Sequence, residues 1–483
     1  MRLGLPRDGR RLLALNAAVG TAANVAKVGL QLVLLPVMAR LLGPAEFGVY
    51  ALVLPLVAFF TVLADGGLGT SLARESEAST VVWSTAFWLL LATCTAIALV
   101  VTAGGTIIGV VADQPRLGGI TALLSTSFPL MALSALPAAR LVRRGNLVLQ
   151  SVGDLVSNLI GAGVALTLAL SDAGAWSLAA QYASGFLVRA VLFNLAAFER
   201  PRLTFRIGAL WPHVTTGGSL IGSRLAEFAG RACENLAYGQ AFGPAALGGY
   251  TLANQIARFL CEAAGNPLWG SLYAYAVRAD PGEVRVLHAR LTRVLASALF
   301  PAAALLTASA PEVFDFALGP AWSRATTLVQ ILLPSYALNV VASQGSAILL
   351  AGGRAGTVFW TLAILSLLRL LAVLAGPWIG VVGVACGVAA ANVVFAILMV
   401  GVLGRVGSGP ASVVLKGLAA PLAASIAAGL ACRGLLMWRP EGPAWTVSSL
   451  CAGGSLYLIA LIVLERKTFL SDAVALRRLV LRH

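Results

Sequence analysis

Long apolar runs separated by short polar breaks fill this chain from end to end. A transmembrane helix needs about 20 mostly apolar residues, whereas a transmembrane strand needs only about 10 alternating ones. The backbone must also satisfy its own hydrogen bonds in lipid. The pattern therefore predicts an all-α polytopic membrane protein with about fourteen transmembrane helices. The predicted spans are 12–39, 46–70, 82–111, 118–139, 149–170, 174–197, 213–240, 246–277, 288–309, 325–350, 355–376, 378–403, 411–432 and 444–464.

Composition supports the same class. Hydrophobic residues make up 59% of the chain and charged residues 11%, with a mean hydropathy of +0.89; soluble proteins are about 25% charged. Nucleic-acid binding is not favoured despite the net charge of +15, because lysine and arginine are not interleaved with aromatic residues. The six cysteines lack a Cys-x-x-Cys pair and the three histidines are far apart, so we predict neither a metal site nor a cofactor.

The positive charge follows the predicted topology. Of the 34 lysines and arginines, 23 fall on one set of alternate loops and tails, and five fall on the other set. Cytoplasmic loops carry the excess of positive charge in membrane proteins. The bias therefore predicts that both termini are cytoplasmic. The five residues on the minority side are Arg40, Arg116, Arg324, Arg433 and Arg439.

Three predicted helices carry polar side chains along one face. Residues three or four positions apart lie on the same side of a helix. A charge at membrane depth costs roughly 2.5–3.5 kcal/mol, so such groups face a bundle interior or a water-filled cavity. We expect these faces to line a polar cavity. They comprise Asn24, Lys27 and Gln31 on the first helix, Arg224, Glu227, Arg231 and Glu234 on the seventh, and Asn254, Arg258 and Glu262 on the eighth.

An internal repeat relates the two halves. The stretch GPAEFGVYALVLPLVAFF from Gly43 and the stretch GPAALGGYTLANQIARFL from Gly243 share seven of eighteen residues, at an offset of 200. Six spans separate the copies, so the copies have the same orientation, as in transporters with parallel repeats. We predict a six-helix lobe at 1–206, a second at 207–404, two extra helices at 405–464 and a basic cytoplasmic tail at 465–483.

These motifs resemble those of a known family. RLLGPAEFGVYALVLPLVAFFTVLADGGLGTSLAR, FGPAALGGYTLANQIARF and APEVFDFALGPAW, in this order, are similar to segments of the polysaccharide (Wzx-type) flippases. That family belongs to the multidrug/oligosaccharidyl-lipid/polysaccharide exporter superfamily. The resemblance implies two six-helix lobes, two further C-terminal helices and a central cavity with cationic residues. It also implies that an undecaprenyl-diphosphate-linked oligosaccharide moves across the bacterial inner membrane, for cell-surface or exopolysaccharide synthesis.

Guanidinium groups match phosphate oxygens, so the cationic residues become candidate ligands of the diphosphate. The predicted substrate-binding residues are Lys27, Arg224, Arg231, Arg258, Asn24, Gln31 and Asn254, and the predicted charge-pairing or ion-coupling residues are Glu227, Glu234 and Glu262. The three glutamates are a departure from the purely cationic cavity that the resemblance implies. The expected partners are the lipid-linked oligosaccharide and membrane lipids, with a polysaccharide polymerase and a chain-length regulator as further candidates.

Other membrane-embedded charges have plainer interpretations. We expect Arg189 and Arg369 to contact neighbouring helices or to snorkel to the interface. Asp154 lies near the end of a span and is expected to be solvated.

Three alternatives remain open from sequence. A cation-coupled multidrug exporter of the same superfamily usually has twelve spans and an acidic cavity, and a lipid II flippase is a close relative whose motifs fit less well. A membrane enzyme, such as a polymerase or ligase, needs a large external loop with catalytic residues. The largest predicted external loop, about 310–325, is short, so we do not predict an enzyme.

Overall fold

A computed structural model describes residues 7–65, 80–111, 113–144, 146–206, 211–277, 279–405, 411–438 and 442–481. Side chains are described over most of these ranges, except at 211–232, 411–416 and 465–481, at most positions of 7–28, and at scattered positions elsewhere. The helices are α1 (Arg7–Asp65), α2 (Thr80–Val111), α3 (Leu117–Ser125), α4 (Ser127–Arg143), α5 (Leu147–Leu170), α6 (Trp176–Ala197), α7 (Trp211–Ala276), α8 (Pro281–Leu318), α9 (Ser323–Ala351), α10 (Ala355–Leu374), α11 (Gly376–Arg405), α12 (Ala411–Trp438) and α13 (Pro443–Leu481).

The all-α polytopic class is confirmed. Eleven helical segments within the described ranges are long and apolar enough to cross a membrane. The count of about fourteen stays a prediction, because two of the longest helices each contain two predicted spans. These are α1 and α7, which bend where one predicted span ends and the next begins.

Glycine makes both bends. Gly43 in α1 has φ 72° and ψ 171°, and Gly243 in α7 has φ 81° and ψ 171°. This region of backbone space is essentially open only to glycine. Each glycine is followed by a proline, whose fixed φ suits the first position of a new helix segment. The 200-residue repeat in the sequence thus corresponds to one backbone motif used twice.

The chain divides by its contacts into two compact units, Met1–Gly248 (unit 1) and Gly249–His483 (unit 2). The predicted boundaries at 206 and 404 stay predictions. In unit 1, α6 packs against α4 and α5, and α2 packs against α3 and α4. One cluster of this core joins α4 to α6 and contains Ala138, Leu141, Phe193 and Ala197. The start of α5 is capped by Asn146, whose side chain accepts a hydrogen bond from the Leu149 amide at 3.2 Å.

In unit 2, α8 packs against α9, α12 and α13, and α11 packs against α9 and α10. The apolar core between α9, α10 and α11 includes Phe395, Met399 and Leu403. A second cluster joins α12 to α13 around Ala428 and Tyr457, with Leu305 of α8 packed against it. At one end of this bundle the Arg433 Nη1 atom lies 2.8 Å from Glu312 Oε1, which ties α12 to α8.

An extended segment, residues 198–206, follows α6 and runs across the first turns of α2. The Arg202 amide donates to Ser84 Oγ at 2.9 Å, and the Arg206 amide donates to Thr85 Oγ1 at 3.1 Å. The Trp88 indole donates to the Arg202 carbonyl at 3.0 Å. The backbone of this segment is therefore held by side chains of α2, and we call it the pinned segment.

Candidate functional site

The structure describes the side chains of only some of the residues predicted to line a cavity, and the cavity itself stays a prediction. The side chains of Asn24, Arg224, Glu227 and Arg231 lie outside the described residues, so their assignments stay predictions. On α1, Lys27 is half-buried and Gln31 is exposed; on α7, Glu234 is half-buried.

The second segment of α7 shows the predicted polar face directly. Asn254, Arg258 and Glu262 are spaced four residues apart and are all half-buried, as the helical period requires. The Arg258 Nε atom lies 3.9 Å from Glu262 Oε1, and the two side chains are 32% and 42% exposed. This distance is long for an ion pair, so the two charges attract each other without a close hydrogen bond. No short hydrogen bond between these two atoms therefore ties Arg258 to the carboxylate.

Asn254 makes a contact that its spacing does not reveal. The Tyr336 hydroxyl of α9 donates a hydrogen bond to Asn254 Oδ1 at 2.9 Å, and the tyrosine is 6% exposed. The Arg369 guanidinium of α10 stacks over the Tyr336 ring, with its Cζ atom 5.2 Å from the ring centroid. The polar face of α7 is thus connected to the interior of unit 2.

Asn392 of α11 anchors the other end of this network and is fully buried. Its Oδ1 atom accepts hydrogen bonds from Arg369 Nη2 and, at 3.3 Å, from Asn339 Nδ2. Its Nδ2 atom donates to Ser335 Oγ at 3.0 Å. Both the oxygen and the nitrogen of this buried amide therefore have hydrogen-bond partners within the protein, as buried polar groups generally do. We call these side chains the unit 2 network: Asn254, Ser335, Tyr336, Asn339, Arg369 and Asn392.

Sequence reasoning placed Arg369 between helices but missed its partner Asn392 and the Asn339 amide that bonds the same Asn392 oxygen. Asn339 and Asn392 are neutral and isolated within apolar runs, so neither forms a local charged pattern. The only local signal was the Ser335–Tyr336–x–x–Asn339 spacing, which puts Ser335 and Asn339 on one face of α9.

A second membrane-embedded arginine is also paired. Arg189 Nε of α6 lies 3.1 Å from Asp154 Oδ1 of α5, and the Arg189 guanidinium lies over the Phe193 ring at 5.2 Å. The expectation that Arg189 contacts a neighbouring helix therefore holds. The expectation that Asp154 is simply solvated was wrong, because its carboxylate neutralises this arginine between two helices.

Comparison with known proteins assigns the chain to a family. Residues 37–327 match the family model described as polysaccharide biosynthesis protein. The chain belongs to this family. The match confirms the resemblance to Wzx-type flippases that the Gly-Pro motifs indicated.

Two curated relatives are similar over most of the chain. The chain is 25% identical to the succinoglycan biosynthesis transport protein ExoT of Rhizobium meliloti (strain 1021) over 362 residues, which is 74% of this chain and 72% of the relative. It is 25% identical to the lipopolysaccharide biosynthesis protein WzxC of Escherichia coli (strain K12) over 386 residues, which is 78% of this chain and 77% of the relative. The protein is therefore a multi-pass membrane protein of a polysaccharide-transport family.

Solved structures agree on the fold. The lipid II flippase MurJ in its inward closed conformation has a TM-score of 0.73 at 12% identity, covering 94% of this chain and 100% of MurJ. An inward-facing multidrug resistance MATE family transporter has a TM-score of 0.59 at 15% identity, covering 80% and 96%. At these identities the likeness shows a shared fold and nothing about substrate.

Proposed function

We propose that the protein is a flippase that carries an undecaprenyl-diphosphate-linked oligosaccharide across the bacterial inner membrane. It alternates between openings to the two sides around a cationic cavity. Membership of the polysaccharide biosynthesis family supports the transport of such a lipid. One structural observation carries the proposal: a half-exposed arginine, Arg258, is held loosely by Glu262 on the polar face of α7.

Each part of the substrate has a different physical need. The polyprenyl tail stays in lipid, whereas the glycan needs a hydrated path through the hydrocarbon layer. The diphosphate needs cations, and a guanidinium can bind two of its oxygens at once. Arg258 binds the diphosphate by leaving Glu262, and the glutamate takes the arginine back when the lipid is released. Lys27, Arg224 and Arg231 supply further positive charge in this proposal, and Glu227 and Glu234 act as Glu262 does.

The proposal includes an orientation and a class of protein. Both termini are cytoplasmic, supported by the loop charges that place 23 lysines and arginines on one side. The protein moves its substrate without changing it, so it is not an enzyme. A polymerase that elongates the transferred glycan and a chain-length regulator are the expected protein partners.

Deletion of the gene tests the proposal. We expect the lipid-linked oligosaccharide to accumulate on the cytoplasmic face of the deletion strain, measured by its accessibility to a membrane-impermeant glycosidase in vesicles. The wild-type gene restores export, and Arg258→Ala restores it poorly. The matched control is Arg324→Ala, which removes an exposed arginine at the start of α9 that is not among the predicted cavity residues. Full rescue by Arg258→Ala, Arg224→Ala and Arg231→Ala alike would contradict a diphosphate-binding role.

The drug-exporter alternative is tested in the same vesicles. A cation-coupled exporter would accumulate fluorescent organic cations in inside-out vesicles, whereas the proposed flippase would not. A lipid II flippase would instead rescue cells depleted of their own lipid II flippase.

A further inference from the structure

The hydrogen bond from Tyr336 decides which end of the Asn254 amide is available. An asparagine amide has an acceptor oxygen and a nitrogen with two donor hydrogens. The oxygen, Oδ1, is occupied by the Tyr336 hydroxyl at 2.9 Å. Within the described parts of the chain, this is the only hydrogen bond of the Asn254 side chain, and the residue is half-buried. No described residue takes either hydrogen of the nitrogen, and both can be donated to a ligand.

The tyrosine is itself held in place. Its ring is nearly fully buried and lies under the Arg369 guanidinium, a cation–π contact. Arg369 is in turn hydrogen-bonded to the fully buried Asn392. Three helices, α9, α10 and α11, thus fix the position of the Tyr336 hydroxyl. The hydroxyl that bonds Asn254 is therefore positioned by contacts among three helices of unit 2.

Arg258 lies one turn further along the same face of α7 and has only donors. A ligand that reaches both residues therefore meets the Asn254 amide nitrogen and the Arg258 guanidinium, two groups that donate hydrogen bonds and accept none. Glu262, the acidic neighbour, is 3.9 Å from Arg258 and can be displaced. A diphosphate has only acceptor oxygens and matches such a surface, whereas sugar hydroxyls both donate and accept.

We propose that Tyr336 is a positioning residue that orients Asn254 as a second donor for the diphosphate bound at Arg258. This inference rests on the proposed function and narrows it: Asn254 contacts the anionic group and not the glycan. Without the tyrosine hydroxyl, the amide of Asn254 can rotate and present its oxygen to the anion.

The experiment compares two lipids that share a tail. Purified full-length protein is titrated with undecaprenyl diphosphate and with undecaprenol, and binding is measured by native mass spectrometry. The readout is the ratio of the two affinities, because general damage to the fold weakens the binding of both lipids by the same factor. The variants are Tyr336→Phe and Asn254→Asp. The aspartate keeps an acceptor for the Tyr336 hydroxyl but replaces the donor nitrogen with a charged oxygen.

Tyr457→Phe is the matched control. Tyr457 lies in the same unit, 5% exposed, and its hydroxyl donates to the Ser297 carbonyl at 2.8 Å. The substitution therefore deletes the same group from an equally buried site outside the polar face of α7.

We expect Tyr336→Phe to lower the preference for the diphosphate about three- to tenfold, the usual effect of one positioned hydrogen bond. Asn254→Asp lowers the preference at least about tenfold, since it places like charges together. Tyr457→Phe leaves the ratio unchanged. An unchanged ratio for Tyr336→Phe or Asn254→Asp would overturn the inference, including the case in which a variant binds both lipids more weakly by the same factor. A wild-type protein without any preference for the diphosphate would overturn the proposed function itself.

Discussion

Gly48 and Gly248, 200 positions apart, make equivalent backbone contacts, each against the proline carbonyl of the other copy of the repeat. A Cβ atom on Gly48 would overlap the Pro244 carbonyl oxygen, and a Cβ atom on Gly248 would overlap the Pro44 carbonyl oxygen. Each Gly-Pro-x-x-x-Gly segment therefore places its second glycine against the backbone of the other segment. Small residues permit this kind of close backbone approach between membrane helices. The sequence repeat is thus also a contact between its two copies.

Alanine at either glycine should destabilise the protein. The overlapping atoms belong to the backbone and cannot move aside as a flexible side chain would, so we expect a loss of about 1–3 kcal/mol for Gly48→Ala or Gly248→Ala. The midpoint of SDS-induced unfolding measures this loss. Gly249→Ala is the control, because the atom nearest to its added Cβ is Ala325 Cβ at 3.8 Å, an ordinary contact. Equal midpoints for Gly248→Ala and Gly249→Ala would contradict the close approach.

Gly43 is needed for a different reason, its backbone angles. No atom lies within 4 Å of a Cβ built on Gly43, but its φ is 72° and its ψ 171°. We expect Gly43→Ala to cost about 1–3 kcal/mol from backbone strain alone. Gly29→Ala in the same helix also has open space around it and should be neutral or stabilising, by up to about 1 kcal/mol. Unfolding of both variants in one detergent makes the comparison, and the reverse order of stability would refute the strain argument.

The helical class and the repeat could be read from the sequence because both are local patterns. Hydropathy over about 20 residues defines a span, and the Gly-Pro steps at Gly43 and Gly243 mark the bends in α1 and α7. The sequence could not separate the roles of Gly43 and Gly48. One requires an unusual φ and the other an absent side chain, and only the three-dimensional contacts distinguish them.

The candidate site likewise has one part that could be predicted from the sequence and one part that could not. The polar face of α7 follows from a spacing of four residues. The hydrogen bond between Asn254 and Tyr336 joins residues 82 positions apart, and the pair of Asp154 with Arg189 joins two helices. No local spacing encodes such contacts. A solvated aspartate was the reasonable expectation for Asp154 until its partner was placed beside it.

Glu46 joins three segments of unit 1, and its removal should be costly. Its Oε1 atom lies 2.8 Å from Arg116 Nη2, and its Oε2 atom accepts a hydrogen bond from the Ala175 amide at 2.8 Å. Ala175 precedes α6, where a carboxylate also interacts favourably with the helix dipole. We expect Glu46→Ala to cost about 2 kcal/mol of unfolding free energy. Glu46→Gln should cost less, because it keeps one acceptor.

A double-mutant cycle separates the two contacts of Glu46. Arg116→Ala removes only the ion pair, so the combined loss in Glu46→Ala/Arg116→Ala should fall short of the sum of the single losses. Strict additivity would show that the ion pair contributes nothing. The corresponding residue of the second repeat is Ala246, so the second copy of the repeat has no carboxylate at the equivalent position.

Substitutions of Asp154 and Arg189 should be tolerated only when both residues are replaced. Removing one partner leaves the other charge unneutralised between α5 and α6, since the two side chains are only about a third exposed. We expect Asp154→Asn or Arg189→Gln alone to lose about 2 kcal/mol. The double variant should recover at least half of the larger single loss, because no net charge is then left. The amount of folded protein in the membrane and the unfolding midpoint measure these losses of stability. A double variant less stable than either single variant would contradict the pairing.

The pinned segment offers a test of both its hydrogen bonds and the predicted orientation. Trypsin cuts after Arg202 and Arg206 only when the backbone leaves α2, so cleavage follows the population of the released form. Ser84→Ala with Thr85→Val removes both hydroxyl acceptors, each worth about 1 kcal/mol, and should speed cleavage about thirtyfold. Thr106→Val is the control, because among the described residues the Thr106 hydroxyl bonds only to the Thr102 carbonyl of α2 itself, at 3.0 Å. Since the segment carries Arg200, Arg202 and Arg206, the charge bias places it in the cytoplasm. Cleavage should therefore occur in inside-out vesicles and not in spheroplasts, with the new termini identified by mass. Cleavage in spheroplasts would reverse the predicted orientation, and an unchanged rate in the double variant would show that the two hydroxyls do not hold the segment.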